Sequence, residues 1–107
     1  MTTAKFLFSG DTIVSFELSG HSGCAEEGAD IVCSAVSSAV YMAANTIIEI
    51  VKLNPETVVR DGYLKVKMTL EDARKSKVIT DGLYLHLGEL QNQYPNNLKL
   101  ERGVFDA

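Results

Sequence analysis

Between Gly20 and Val40 the chain reads GHSGCAEEGADIVCSAVSSAV, which sets a histidine and two cysteines among three carboxylates and three glycines, directly ahead of an apolar run. His21 and Cys33 are the pair suited to nucleophilic chemistry, since a thiolate can attack a carbonyl carbon while an imidazole takes up and returns the proton. Cys33 falls in the first turn or two of a helix expected over Ala29–Leu53, where unpaired backbone N–H groups and the positive end of the helix dipole favour an anion. Such a position beside an imidazolium can bring a cysteine pKa from about 8.5 into the range of roughly 3.5 to 7.5. On a helical wheel Cys33 sits beside Val40, Ala44 and Val51, at the flank of the apolar face, where the core anchors it and its edge stays reachable. His21 closes the preceding strand, and a loop of ordinary length would bring strand end and helix start together. Taken alone, a helical cysteine reads first as a small buried hydrophobe; its place beside a glycine-flanked histidine shifts the balance toward chemistry.

The neighbouring residues carry alternatives of the same kind. Asp30 can orient His21 or stabilise its charged form, but an aspartate at a helix start is also a cap. Cys24 could join His21, Cys33 and His86 in a four-ligand zinc site, although paired C-x2-C knuckles are absent. Otherwise Cys24 is a loop thiol open to oxidation, and His86 is a packed or interfacial histidine. Gly20, Gly23 and Gly28 give the loop a backbone able to turn tightly or to open around a substrate. Glu26 and Glu27 could attract substrate lysines or remain a solvated pair.

These residues need a scaffold, and the pattern predicts an α+β domain in the order ββαββαβ. Lys5–Phe8 and Thr12–Leu18 read as strands joined at Ser9-Gly10-Asp11, with Val14, Phe16 and Leu18 alternating against Ser15 and Glu17. Asn54-Pro55 stops the first helix, because the residue before a proline is driven from helical angles. Glu56–Arg60 and Tyr63–Met68 flank Asp61-Gly62, a strong two-residue hairpin signal. Thr69 with Asp72 marks a second helix start, and Ile79, Leu83, Leu87, Leu90 and Tyr94 share one of its faces up to Pro95. Asp81-Gly82 within that span also permits a hairpin; a helix would leave Val78 and Leu85 as a second apolar patch needing a cover. Asn97–Val104 reads as a last strand. A mainly antiparallel sheet packed with two helices follows, as one domain over residues 1–107.

Composition narrows the function. A net charge of −4 and a pI near 5.0 give no basic footprint for a phosphate backbone, so direct nucleic-acid binding is not expected. Two cysteines are too few for a disulfide scaffold, and MTTAKFLFSGD lacks a secretory apolar stretch, so both thiols are expected free in the cytoplasm. Ile31–Val51 contains no lysine or arginine and mimics a membrane span. Its wheel, however, groups Ser34, Ser38, Tyr41, Asn45, Glu49 and Lys52 opposite Val32, Val36, Ala39, Ala43, Ile47 and Ile50, the pattern of an amphipathic core helix and not of a membrane segment.

The run Gly20-His21, then Gly28, then Asp30-Ile31-Val32-Cys33 and Ala35-Val36-Ser37 resembles the motif of the ribosomal-processing cysteine protease Prp family. Tyr94-Pro95 before a final strand is also similar, and the resemblance spans essentially the whole chain. It implies a cysteine endopeptidase without metal or organic cofactor that removes the N-terminal extension of a large-subunit ribosomal protein, the twenty-seventh in the usual naming. The cut would follow a pair of phenylalanines and precede an Ala-Ser-Lys-Lys-like segment. His21 and Cys33 match the family's reactive residues, Asp30 and Ser37 its supporting positions, and the family's dimeric state would cover Val78 and Leu85. Cys24 and the Glu26-Glu27 pair occupy loop positions where the family varies. Two readings compete on the same fold: a ribosome-assembly chaperone that holds the extension uncut, and a zinc-stabilised interaction module.

Overall fold

The computed structural model describes residues 1–20 and 29–105, with residues 29 and 30 described by their backbone alone. Strands β1 (Thr2–Ser9) and β2 (Thr12–Ser19) form a hairpin, followed by helix α1 (Ala29–Asn45), which runs on into a π-helical turn at Thr46–Ile50. A second hairpin, β3 (Glu56–Arg60) and β4 (Tyr63–Lys67), leads to a short helix α2 (Leu70–Lys75), the longer α3 (Lys77–Gln93) and strand β5 (Leu98–Val104). The sheet order is β3-β4-β2-β1-β5, antiparallel throughout except where β5 lies parallel to β1. The mainly antiparallel α+β class is therefore as the periodicity predicts. Both hairpin turns use glycine at positive φ, Gly10 at +63° and Gly62 at +76°, as two-residue connections require.

The helices lie on one face of the sheet and share a single core. From the strands come Phe6, Phe16, Leu18, Leu64 and Val66; from α1 come Val32, Val36, Val40, Ala43 and Ile47; from α3 come Leu83 and Leu87. Each fully buried side chain of this size contributes about 1.5–3 kcal/mol of hydrophobic stabilisation. Tyr84 of α3 sets its ring edge-on against Phe6 and Phe8, with centroids at 5.0 and 5.3 Å, which ties α3 to β1. Ile31–Ile50 has the length and hydropathy of a membrane span, yet its apolar stripe is spent on this core.

Three expectations change on contact with the structure. The second helical span is two helices, because Ser76 at φ −100°, ψ 4° leaves the helical region between α2 and α3; the hairpin alternative at Asp81-Gly82 is not adopted. Thr69 does cap α2, its side chain accepting from Asp72 N at 3.2 Å. Strand β1 begins at Thr2 rather than Lys5 because β5 pairs with it from Thr2 onward. The third change is at Ile50, placed by the wheel on the buried stripe yet 75% exposed. Thr46 donates its hydroxyl to the Met42 carbonyl at 2.7 Å, and Val51 N reaches back to Thr46 O at 2.9 Å. The wider turn breaks the 100° phase, so Ile47 stays in the core while Ile50 rotates out. Lys52 then closes the helix at φ +67°. Accordingly, Ile47→Ala should lower unfolding stability by about 2–5 kcal/mol and Ile50→Ala by less than about 0.5 kcal/mol in urea titrations; equal costs would contradict the phase shift.

Candidate functional site

Strand β2 ends at Ser19, and the next residue is held between two other segments. Gly20 has φ +82°, and a β-carbon there would lie 2.7 Å from the carbonyl oxygen of Met1. Its N–H donates to Gly62 O at 3.1 Å, joining it to the β3–β4 turn. The chain therefore leaves the sheet toward His21 at a fixed point between the start of β1 and the tip of the second hairpin. His21, Gly23, Cys24, Glu26, Glu27 and Gly28 lie outside the described residues, as do the side-chain surroundings of Asp30, whose backbone is in the first turn of α1.

The chain re-enters the described region at Ala29, and Cys33 follows four residues into α1. Neighbouring Val32 and Val36 are buried, which fixes the rotation of the helix and holds Cys33 at 7% exposure. That is deeper than the reachable flank read from the wheel, since the core residues on either side draw this part of the helix down. Ser37 sits one turn on, half-buried, on the same side as Cys33. The expectation of two free thiols fails at Cys33, whose sulfur is in a disulfide. Cysteine number and compartment do not address local proximity, on which a disulfide depends. A disulfide sulfur is also not a zinc ligand in this state. His86 is exposed on α3, and among the described residues no three His, Cys, Asp or Glu side chains group as a metal would require.

A cluster on the open face of the sheet braces the point of departure. Tyr63, at the start of β4, donates its hydroxyl to Glu17 of β2, and the Arg60 guanidinium stacks 4.3 Å from the Tyr63 ring centroid. The hydrogen bond to Glu17, then desolvation and the carboxylate's charge, raise the Tyr63 pKa above the ordinary value of 10.0, with Arg60 opposing. The hairpin at Asp61-Gly62 foretells that Arg60 faces Tyr63; the contribution of Glu17, 46 residues away, has no local signal. A groove of about 600 Å³ lined by Val14, Pro55, Met68, Leu70 and Phe105 lies at the other end of the sheet, where β1 and β5 finish. It takes no part in the arrangement around Gly20 and Cys33.

Comparison with known proteins decides the family. Residues 1–99 match the family described as Cysteine protease Prp. The chain belongs to that family. Its sequence is 30% identical over 98 residues to the Ribosomal processing cysteine protease Prp of Bacillus subtilis (strain 168), covering 86% of this chain and 88% of the relative. The fold is similar to that of the S. aureus ribosomal processing protease Prp in complex with a substrate peptide, with a TM-score of 0.85, 20% identity, and 95% and 99% of the two chains covered. SMU.848 from Streptococcus mutans is similar at a TM-score of 0.81 and 26% identity, over 98% of this chain and 96% of that one. The protein is thus a cysteine protease of a ribosomal-processing family.

Two measurements test the scaffold of the site. Gly20→Ala must place a side chain at positive φ against the Met1 carbonyl and should cost about 1–3 kcal/mol in urea unfolding; a neutral effect would contradict the close approach. A raised phenol pKa means that the folded state holds this proton more tightly than the unfolded chain. Its contribution is then whole below about pH 10 and is lost as pH rises through the folded value. Glu17→Gln should lower the Tyr63 pKa in an alkaline absorbance titration, and no change would show that the carboxylate is not the cause.

Proposed function

We propose that the chain is an endopeptidase that removes the N-terminal extension of a large-subunit ribosomal protein, the twenty-seventh, cutting after a Phe-Phe pair through a dyad of Cys33 and His21. The observation that carries this reading is the placement of Cys33 in the opening turns of α1, gripped by the core, in a chain of the Prp family whose strand β2 ends one residue before Gly20-His21. The family member from S. aureus has been captured with a substrate peptide, which supports an extended peptide as the ligand class here.

In the reduced protein, the Cys33 thiolate attacks the carbonyl carbon of the second phenylalanine, and the carbonyl electrons move onto oxygen. Backbone N–H groups at the start of α1 stabilise that oxyanion, since they have no partners within the helix. His21, protonated as the thiolate formed, gives its proton to the leaving amine and a thioester remains. It then takes a proton from water, whose oxygen attacks the thioester and releases the extension and the sulfur. Asp30 and Ser37 support the pair, and Glu26 and Glu27 favour the lysines beyond the cut. No metal or organic cofactor enters these steps, and neither nucleic acid nor membrane is a partner. The reaction belongs in the cytoplasm, where ribosomes assemble.

A second copy of the chain is the proposed cover for the patch on α3, where Val78 is 91% and Leu85 65% exposed. The working form is accordingly a homodimer.

A synthetic peptide carrying Phe-Phe followed by Ala-Ser-Lys-Lys tests the assignment, with products identified by mass spectrometry under reducing conditions. Cleavage after the second phenylalanine should fall at least about 1,000-fold in Cys33→Ala and in His21→Ala while both variants stay folded. An uncut, bound peptide in the wild type would indicate a chaperone, and wild-type turnover by Cys33→Ala would refute the nucleophile. The double change Val78→Glu and Leu85→Glu should turn the dimer into a monomer in light scattering; an unaltered mass would move the interface elsewhere.

A further inference from the structure

Strand β3 is an outer strand of the sheet, and every one of its residues is exposed. Its middle, Thr57-Val58-Val59, is a run of β-branched residues with no charge, proline or bulge, the devices that ordinarily keep a free edge from pairing. The opposite edge, β5, carries Lys99, Glu101 and Arg102. The backbone of β3 also has a definite set of open groups. A two-residue turn makes Arg60 and Tyr63 a hydrogen-bonded pair, and alternation along the antiparallel ladder then aims the N–H and C=O of Thr57 and Val59 away from β4. No backbone hydrogen bond outside the β3–β4 pairing involves residues 56–60, so these groups have no partner among the described residues.

Charge along this edge favours a cationic occupant. Arg60 is turned onto the Tyr63 ring and Lys67 onto the Phe105 ring, at 4.3 and 5.5 Å from the centroids. Glu56 at the start of β3, Asp61 just past its end and Asp72 in the lining of the groove form no ion pair among the described residues. Open carboxylates thus outnumber the cations, which are held against rings. Main-chain groups of a free strand with acids at both ends suit an extended, lysine-bearing peptide, since the backbone supplies the pairing and the charges select the segment.

We propose that the free edge of β3 binds the lysine-bearing segment of the substrate beyond the cut as an added strand, an inference that rests on the protease reading above. Register places Arg60, Tyr63 and Ser19 in one row across β3, β4 and β2. The end of β3 therefore lies two strand spacings, about 10 Å, from the end of β2, where the chain leaves the sheet toward Gly20. Three extended residues cover such a span, and the first lysine of Ala-Ser-Lys-Lys is the third residue after the proposed cut. The residues that follow run antiparallel to β3, from Arg60 toward Glu56. At that far end the groove lined by Val14, Met68, Leu70 and Phe105 receives an apolar side chain of the added strand, with Glu56 and Asp72 beside it.

The test compares two peptides on the intact, reduced protein: Phe-Phe-Ala-Ser-Lys-Lys, and the same peptide lengthened by Thr-Val-Thr-Val-Lys. The Cys33→Ala variant should bind the longer peptide at least about tenfold more tightly in fluorescence anisotropy, and the wild type should cut it with a KM lower by a similar factor. N-methylation of one alternate set of amides in the added residues should abolish the gain, and methylation of the other set should keep it, because only one set faces β3. Val59→Pro removes an N–H directed away from β4 and should return the longer peptide to the KM of the shorter one. Glu56→Lys should raise the KM of the longer peptide, whereas Glu49→Lys, an equal change of charge in the π-helical turn after α1, should not. Equal affinity for the two lengths, with both still cut, would overturn the β3 site and leave the protease reading standing. A halved mass of Val59→Pro in light scattering would assign the edge to a second copy of the chain and overturn it as well. If the wild type cuts neither peptide, the protease reading fails and the substrate role of the edge falls with it.

Discussion

The burial of one stripe of α1 against the sheet is the constraint on which everything else depends. Val32, Val36, Val40, Ala43 and Ile47 enter the core beside Phe16, Leu18 and Val66, so the helix can neither roll nor slide without exposing them. Rotation of α1 in turn decides where the sulfur of Cys33 is, because Val32 and Val36 flank it along the helix and lie at 1% and 0% exposure. Packing energy of ordinary hydrophobic kind thus becomes positional accuracy at the Cys33 sulfur. The phase break at Thr46–Ile50 comes three turns later, far enough along the helix that it leaves this end in register.

The other half of the site is positioned by the sheet. Gly20 is wedged between the Met1 carbonyl and the Gly62 carbonyl, and the Tyr63–Glu17–Arg60 cluster stiffens the strands on which those contacts rest. Strand end and helix start are the two anchors of residues 21–28, which carry the proposed general base, the second cysteine and the acidic pair. Cys33 is thereby fixed within α1, while the proposed base belongs to the segment that joins the two anchors.

Much of this was legible in the residue pattern, for identifiable reasons. Alternating Val14, Phe16 and Leu18, the Asp61-Gly62 turn and the serine-bearing stripe of α1 are local signals, and local signals survive folding. The family was legible because Gly20-His21 and Asp30-Ile31-Val32-Cys33 combine residue type with spacing. What escaped depended on contacts between distant segments. The parallel pairing of β5 with β1 extends β1 back to Thr2, and Tyr63 finds Glu17 across the sheet. The exposure of Ile50 goes with the wider turn at Thr46–Ile50, which no fixed-period wheel represents. The oxidation of Cys33 escaped because composition speaks to compartments, whereas a disulfide needs only two sulfurs within reach.

The central claim is that Cys33 and His21 share a proton as thiolate and imidazolium. The rate of Cys33 alkylation by iodoacetamide across pH, in reduced protein and in a His21→Gln variant, tests it most directly. The account predicts a reactive thiolate persisting well below about pH 8.5 in the wild type, with the apparent pKa moving upward when the imidazole is removed. A thiol that titrates at about 8.5 or above in both proteins would contradict it.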